Sequence, residues 1–186
     1  MARQFWMQVG AVAGLLFSAT IASAQSIPAA LNVPKGQTYL TKVVGEGVQI
    51  YVCKVNAESK QYEWTLQAPE AKLLENGKLI GKHYGGPTWE NNDGSKIVAK
   101  VKARSTAPQA DAIPWLLLEV KQHEGKGEFE RVNWIQRVQT VGGKAPETGC
   151  DRAHENAVTR VNYSADYLFY GEGKQQTSQR DSYDGY

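Results

Sequence analysis

The sequence has little with which to do redox, metal or nucleic-acid chemistry. Its 186 residues include two cysteines and three histidines. The histidines, His83, His123 and His154, stand far apart and in no ligand spacing, whereas a catalytic zinc site needs three convergent protein ligands. No metal is expected. A surplus of one charge is missing as well: 21 Lys and Arg face 19 Asp and Glu, a formal net charge of +2. Basic residues such as Lys35, Lys42, Lys54, Lys60, Lys72, Lys78 and Lys82 are scattered, which leaves no basic stripe for a phosphate backbone and argues against nucleic acid. No glycine-rich fingerprint follows a strand and no βαβ pattern is present, so no dinucleotide or other cofactor is expected. Ser95 lacks the Gly-x-Ser-x-Gly elbow of a hydrolase nucleophile. Neither a long amphipathic helix pattern nor an internal repeat is visible.

The apolar stretch near the start, from about Val9 to Ile21, is short for a bilayer span and is diluted by Gly10, Gly14, Ser18 and Thr20. With Arg3 ahead of it and Ala22-Ser23-Ala24 behind, it reads as a secretory signal, residues 1–24, cleaved after Ala24. The mature chain is then exported, to a periplasm or the extracellular medium, without stable membrane insertion. Losing Arg3 lowers its formal charge from +2 to +1. Export places Cys53 and Cys150 where disulfides persist, and as the two cysteines of the chain they are expected to pair.

From Gln37 onward the dominant period is two. Val161, Tyr163, Ala165, Tyr167 and Phe169 alternate with Asn162, Ser164, Asp166 and Leu168, the pattern of a half-buried strand. Tyr62 to Leu66, Val48 to Val55, and Ile97, Ala99, Val101 and Ala103 against Val98, Lys100, Lys102 and Arg104 repeat it. Turn signals separate these runs: Asn76-Gly77, Gly85-Gly86-Pro87, Asp93-Gly94, Gly125-Lys126-Gly127 and Gly142-Gly143. Asn76-Gly77 supplies the two positive φ angles of a tight hairpin between Ala71–Glu75 and Lys78–Lys82. Ile113 to Val120 is continuously apolar and reads as a strand buried on both faces or as a short helix, since periodicity does not separate the two. About eight strands result, an all-β single domain over 25–170 built as a β-sandwich or flattened barrel with one disulfide. A loop spans Ser105 to Ala112. The tail 171–186, rich in Gln, Ser, Gly and charge, has almost nothing to bury and is expected to be disordered. Trp64, Trp115 and Trp134 are assigned to the core; Trp89 is left between core and site.

Several phrases occur in a fixed order: Trp64-Thr-Leu-Gln-Ala-Pro69, Gly81-Lys-His83-Tyr84-Gly-Gly86-Pro87-Thr-Trp89-Glu90, Ile113-Pro114-Trp115-Leu-Leu-Leu118, Ile135-Gln-Arg137-Val-Gln-Thr140-Val-Gly142-Gly143 and Tyr163-Ser-Ala-Asp166-Tyr-Leu-Phe-Tyr170. With Asp93-Gly94-Ser95, they resemble domain of unknown function 3455, a family of exported bacterial and fungal proteins, over about Pro34 to Tyr170. That resemblance implies no activity and carries over no catalytic residue. Some relatives bear a dehydrogenase label, which the missing dinucleotide fingerprint does not support.

The densest cluster of chemistry-bearing residues is His83, Tyr84, Trp89, Glu90 and Asp93, read as a glycine-broken loop on a rigid sheet, where sites tend to lie. One reading makes this 83–95 loop a binding module for a small molecule, glycan or protein, with Tyr84, Trp89 and Arg137 as contacts. A second makes it a hydrolase or lyase with His83 as base and Glu90 or Asp93 as carboxylate. A third has His83 filling a polar niche in a structural envelope protein. Arg137, flanked by apolar positions in a strand, is expected to pair with Asp166, with binding of a ligand anion as its other role.

Overall fold

The period-two stretches form eight strands: β1 (Thr38–Val55), β2 (Tyr62–Glu75), β3 (Lys78–Tyr84), β4 (Thr88–Asn91), β5 (Lys96–Ser105), β6 (Trp115–Glu124), β7 (Val132–Gly142) and β8 (Val158–Gly171). The computed structural model describes residues 25–172; the signal segment and residues 173–186 of the tail lie outside the described residues. Each strand pairs antiparallel with the next, and β8 pairs back onto β1, from Thr38↔Gly171 to Val52↔Val158, so the sheet closes into an eight-stranded up-and-down barrel. Of the two architectures the sequence leaves open, closure selects the barrel. β8 reaches Gly171, one residue past the expected domain end, where it pairs with both Thr38 and Val132.

The pleat sorts side chains between lumen and exterior. Along β8, Tyr163, Ala165, Tyr167 and Phe169 point inward, and none is more than 5% exposed. They meet Val43, Leu73, Ile97, Leu118 and Ile135 from the other staves in one core. Asn76 and Gly77 join β2 to β3 with φ of 49° and 78°, both in the left-handed region that a two-residue type I′ hairpin requires.

A second core lies outside the barrel. Residues 27–33 cross the outer face of β5 to β7, and Leu31 is buried there with Ala107, Ala112, Trp115, Leu117 and Val138. Gln136 donates to the Leu31 carbonyl at 2.7 Å and accepts from the Tyr170 hydroxyl at 2.8 Å, which fastens the segment to β7. Over Trp115–Leu118, β6 therefore has apolar neighbours on both sides: Leu116 and Leu118 inside, Trp115 and Leu117 outside. The continuous apolar run is a strand, and the loop after Ser105 is partly buried through Ala107 and Ala112.

Two tryptophans follow expectation and one does not. Trp115 is buried and Trp134 packs half-buried against the outer core. Trp64 is not a core residue: it sits opposite Cys53 near the end of β1, half-exposed, with its indole N–H donating to the Thr148 carbonyl at 2.9 Å. Its place at the strand end, against the β7–β8 connection, outweighs its apolar area.

Cys53 and Cys150 are bonded, with Cα atoms 5.3 Å apart across a sequence separation of 97. The bond ties the end of β1 to the β7–β8 connection and closes a loop over most of the barrel. In the chain-entropy model such a loop is worth about 4 to 5 kcal/mol. Cys53→Ala/Cys150→Ala is expected to lower the free energy of unfolding by about that amount, read from urea denaturation with the slope m preserved.

Candidate functional site

In an up-and-down barrel alternate connections lie at the same end. One end carries the β2–β3, β4–β5 and β6–β7 connections, and it is filled. Phe129 plugs it, 1% exposed, edge-on to Phe169 with ring centroids 5.0 Å apart. Asp93 staples the plug: Oδ1 accepts from the Ser95 amide (2.8 Å) and hydroxyl (2.6 Å), Oδ2 accepts from the Glu128 amide (2.8 Å), and Ser95 Oγ accepts from the Phe129 amide. Partial burial works to raise the Asp93 carboxyl, but the hydrogen bonds from Ser95 and the Glu128 amide outweigh it and hold it below its ordinary range.

The other end is hollow. A cavity of about 330 Å³ enters the lumen there, and all eight strands contribute to its wall. The lining residues exposed to solvent, Leu66, Gln67, Gly86, Arg104 and Pro114, mark its mouth. Deeper, Val101, Ile113, Leu116 and Leu118 form an aliphatic side. The floor is aromatic: His83 stacks on Trp89 at 4.2 Å between centroids, and Tyr167 meets both edge-on at 5.3 and 5.4 Å. Tyr167 has room to cross the lumen because β1 presents glycine diagonally across from it, opposite Ala165. A Cβ on Gly45 would lie 2.5 Å from the Tyr167 ring.

The expected 83–95 loop is two strands and their turns, and the pleat divides its residues. His83 pairs with Trp89 across the β3–β4 ladder and both face inward, while Lys82 and Glu90, one position along, face outward. Glu90 is held there by the Tyr84 hydroxyl at 2.8 Å and Lys82 Nζ at 3.0 Å. Tyr84 is thus on the outer face as well, and Asp93 is at the opposite end of the barrel. The structure does not bring His83 together with either carboxylate proposed for it. Of the residues singled out by sequence, His83, Trp89 and Arg137 share the cavity.

His83 is 3% exposed, and its Nδ1 lies 2.7 Å from the Thr88 carbonyl. A carbonyl only accepts, so Nδ1 carries the hydrogen and Nε2 is left as an acceptor. Burial pushes the imidazole down from its ordinary 6.5 to about 3; the Thr88 bond opposes this and Arg137 adds to it. The ring is neutral at physiological pH.

Arg137 does not pair with Asp166. The register sets Arg137 opposite inward-facing Tyr167, and Asp166, one residue before it, faces out to Lys42 at 3.3 Å. The guanidinium instead donates through Nε (3.2 Å) and Nη2 (2.8 Å) to the Pro114 carbonyl at the cavity edge. Burial lowers its proton affinity, and besides His83 the titratable groups that sense it are Tyr167, Tyr163 and Tyr51. Burial raises each of these phenols above its ordinary value, so none supplies a negative charge. Among the described residues no carboxylate forms an ion pair with Arg137 or with Arg104. Sequence reasoning missed Arg104 and Gln49. The irregularity between Val101 and Ala103 turns Ala103 to the outer core and Arg104 to the cavity, reversing the alternation read from sequence. Gln49, 2% exposed, lines the cavity with its Nε2 unbonded, as does Trp89 with its Nε1.

The ordered motifs, now placed on one closed barrel, decide the kinship. The chain belongs to the family described as protein of unknown function (DUF3455). The family model matches residues 34–171, which takes in every strand and the whole lumen, with the outer segment from Ile27 to Val33 lying before it. No curated protein and no solved structure matches the chain. Among the described residues no group of three or more His, Cys, Asp and Glu side chains is placed to hold a metal ion, and no helix is long and apolar enough to cross a membrane.

Because His83 is depressed in the fold, the unfolded chain takes up a proton as pH falls through 6.5 while the folded chain does not until about 3. The stability associated with the neutral ring is therefore complete above pH 6.5 and is lost between those values, on the order of 3 kcal/mol by pH 4. An NMR titration is expected to show a flat His83 Cε1–H signal down to about pH 4.5.

Proposed function

We propose that this protein is an exported, non-enzymatic carrier or binding protein that takes a small, largely apolar molecule into the open end of its barrel. The observation that carries the reading is the cavity itself: about 330 Å³, walled by every strand, apolar along most of its depth, with Gln49 and Trp89 each offering a buried N–H that has no acceptor. Eight-stranded barrels either fill their interior with side chains or keep room for one small ligand. Here Phe129 and the aromatic layer fill one half, and the other half is free. The volume falls at the lower end of the range for small-molecule sites, and sparse polar groups in an apolar wall are what such sites use to fix orientation. An unbonded donor in a low-dielectric interior costs free energy that a ligand acceptor would restore.

The signal-like start and the disulfide support a place outside the cytoplasm, since a bond of this kind persists in an oxidising compartment. For a hydrolase or lyase the lumen supplies a neutral His83 with no carboxylate beside it, which weighs against that alternative. A glycan or protein partner on the outer face of β3–β4 has no comparable support, because Tyr84, Glu90 and Lys82 there satisfy one another.

The neutral apolar dye N-phenylnaphthylamine is expected to brighten on binding the mature protein and to raise its thermal midpoint by several degrees near saturation. Val101→Phe, which fills the cavity at a cost of about 1 to 3 kcal/mol, is expected to abolish the signal while the protein remains folded. A dye response equal in Val101→Phe and wild type would place binding outside the lumen and end the proposal.

A further inference from the structure

Resting on the lumen-binding reading, we infer that the ligand is an organic acid: an apolar body seated on the His83–Trp89–Tyr167 floor and a single carboxylate held at the mouth by Arg137 and Arg104. The inference starts from charge. Arg137 is half-buried on β7, its guanidinium at the cavity edge, and the groups around it are neutral phenols and one peptide carbonyl. Desolvating a cation without an opposing charge is costly, and structures generally pair such a group. The Pro114 carbonyl takes two of its five N–H donors, and a planar fork with donors left over suits a carboxylate.

Arg104 is the second observation, and it is independent of the first. It lies on another strand, β5, and reaches the same mouth because the strand irregularity turns it inward; without that turn the lumen would receive an alanine. Two arginines therefore line one opening, and neither forms an ion pair among the described residues. Gln49 adds a buried amide N–H to the lining on the β1 side, a further donor that has no acceptor. Below this polar ring the wall is aliphatic and aromatic, so the charge of the ligand belongs at the mouth and its carbon body belongs below. The neutral His83 ring makes no demand for a second negative group deeper in, which limits the ligand to a monoacid.

The test compares acids with their uncharged amides by calorimetry on the mature, disulfide-bonded protein: naphthoate with naphthamide, and octanoate with octanamide, so that a flat and a flexible body are both tried. At least one acid is expected to bind about tenfold or more tightly than its amide, the difference a charge-assisted hydrogen bond makes. Arg104→Gln, exposed and outside the core, is expected to remove part of that preference with the thermal midpoint unchanged. Arg137→Gln should remove most of it; Arg137→Lys, which keeps the charge and loses the fork, should retain an intermediate part. Acid and amide binding alike would overturn the organic-acid inference while leaving the lumen as a site. Failure of both acids, with the neutral dye still bound, would overturn it too. Failure of the dye together with all four compounds would remove the lumen-binding reading beneath it. A preference for acids that survives both Arg104→Gln and Arg137→Gln would assign the anion to other residues and defeat the assignment.

Discussion

Everything in this molecule depends on β8 pairing with β1. That ladder spans fourteen positions with one irregularity and joins strands whose sequences are more than a hundred residues apart. Once it forms, every strand has a neighbour on both sides and no edge is left to recruit another chain. It also creates an inside. The alternation along each strand has consequences only because the sheet is closed, since a side chain that points inward then meets seven other strands. Closure brings Tyr167 on β8 to the His83–Trp89 pair on β3 and β4, three strands of separate origin forming one aromatic layer.

The two ends of the barrel show two ways of treating polar groups in a confined space. At the filled end Asp93, Ser95 and the backbone of Glu128 and Phe129 satisfy one another, and the carboxylate keeps its charge because amide and hydroxyl donors surround it. At the open end the account does not balance internally. The donors of Gln49 and Trp89 and the charge of Arg137 have too little to bind, and a bistack of neutral imidazole on indole gives them no anion. Folding to this arrangement costs stability that the disulfide and the outer core of Leu31, Trp115 and Leu117 help offset.

Much of the architecture was legible because it is local. The alternation in β8 follows from the side-chain period of a strand and the Asn76-Gly77 hairpin from its two positive φ angles, and both are found where the residues indicate, while the apolar run that periodicity left between strand and helix is the strand β6. What was not legible depends on breaks in that period or on distant pairings. One irregular position between Val101 and Ala103 exchanges the faces of Ala103 and Arg104, and no residue type announces it. Another between Val138 and Val141 accompanies the positive φ of Gln139. Grouping His83 with Glu90 and Asp93 relied on nearness in sequence, yet Glu90, seven residues on, is across the wall of the barrel, and Asp93, ten residues on, is at its far end. The Arg137–Asp166 pair failed on the same ground: the partner of Arg137 in register is Tyr167, and a shift of one residue in a pleat is a shift to the other face.

The covering of β6 by residues 27–33 bears on how this chain can vary over evolutionary time. In the first half of β8 every second position, such as Arg160 and Asn162, is exposed and open to exchange, and only farther along do Leu168 and Tyr170 engage the outer core and Gln136. Over Trp115, Leu116, Leu117 and Leu118 no position is free, because the outward side chains are the floor on which Leu31 rests and the inward ones wall the cavity. Two staves of one barrel therefore drift under different rules: substitutions accumulate with a two-residue rhythm in the first half of β8, whereas in β6 a change on either face has to be matched by a compensating change in a separate part of the chain.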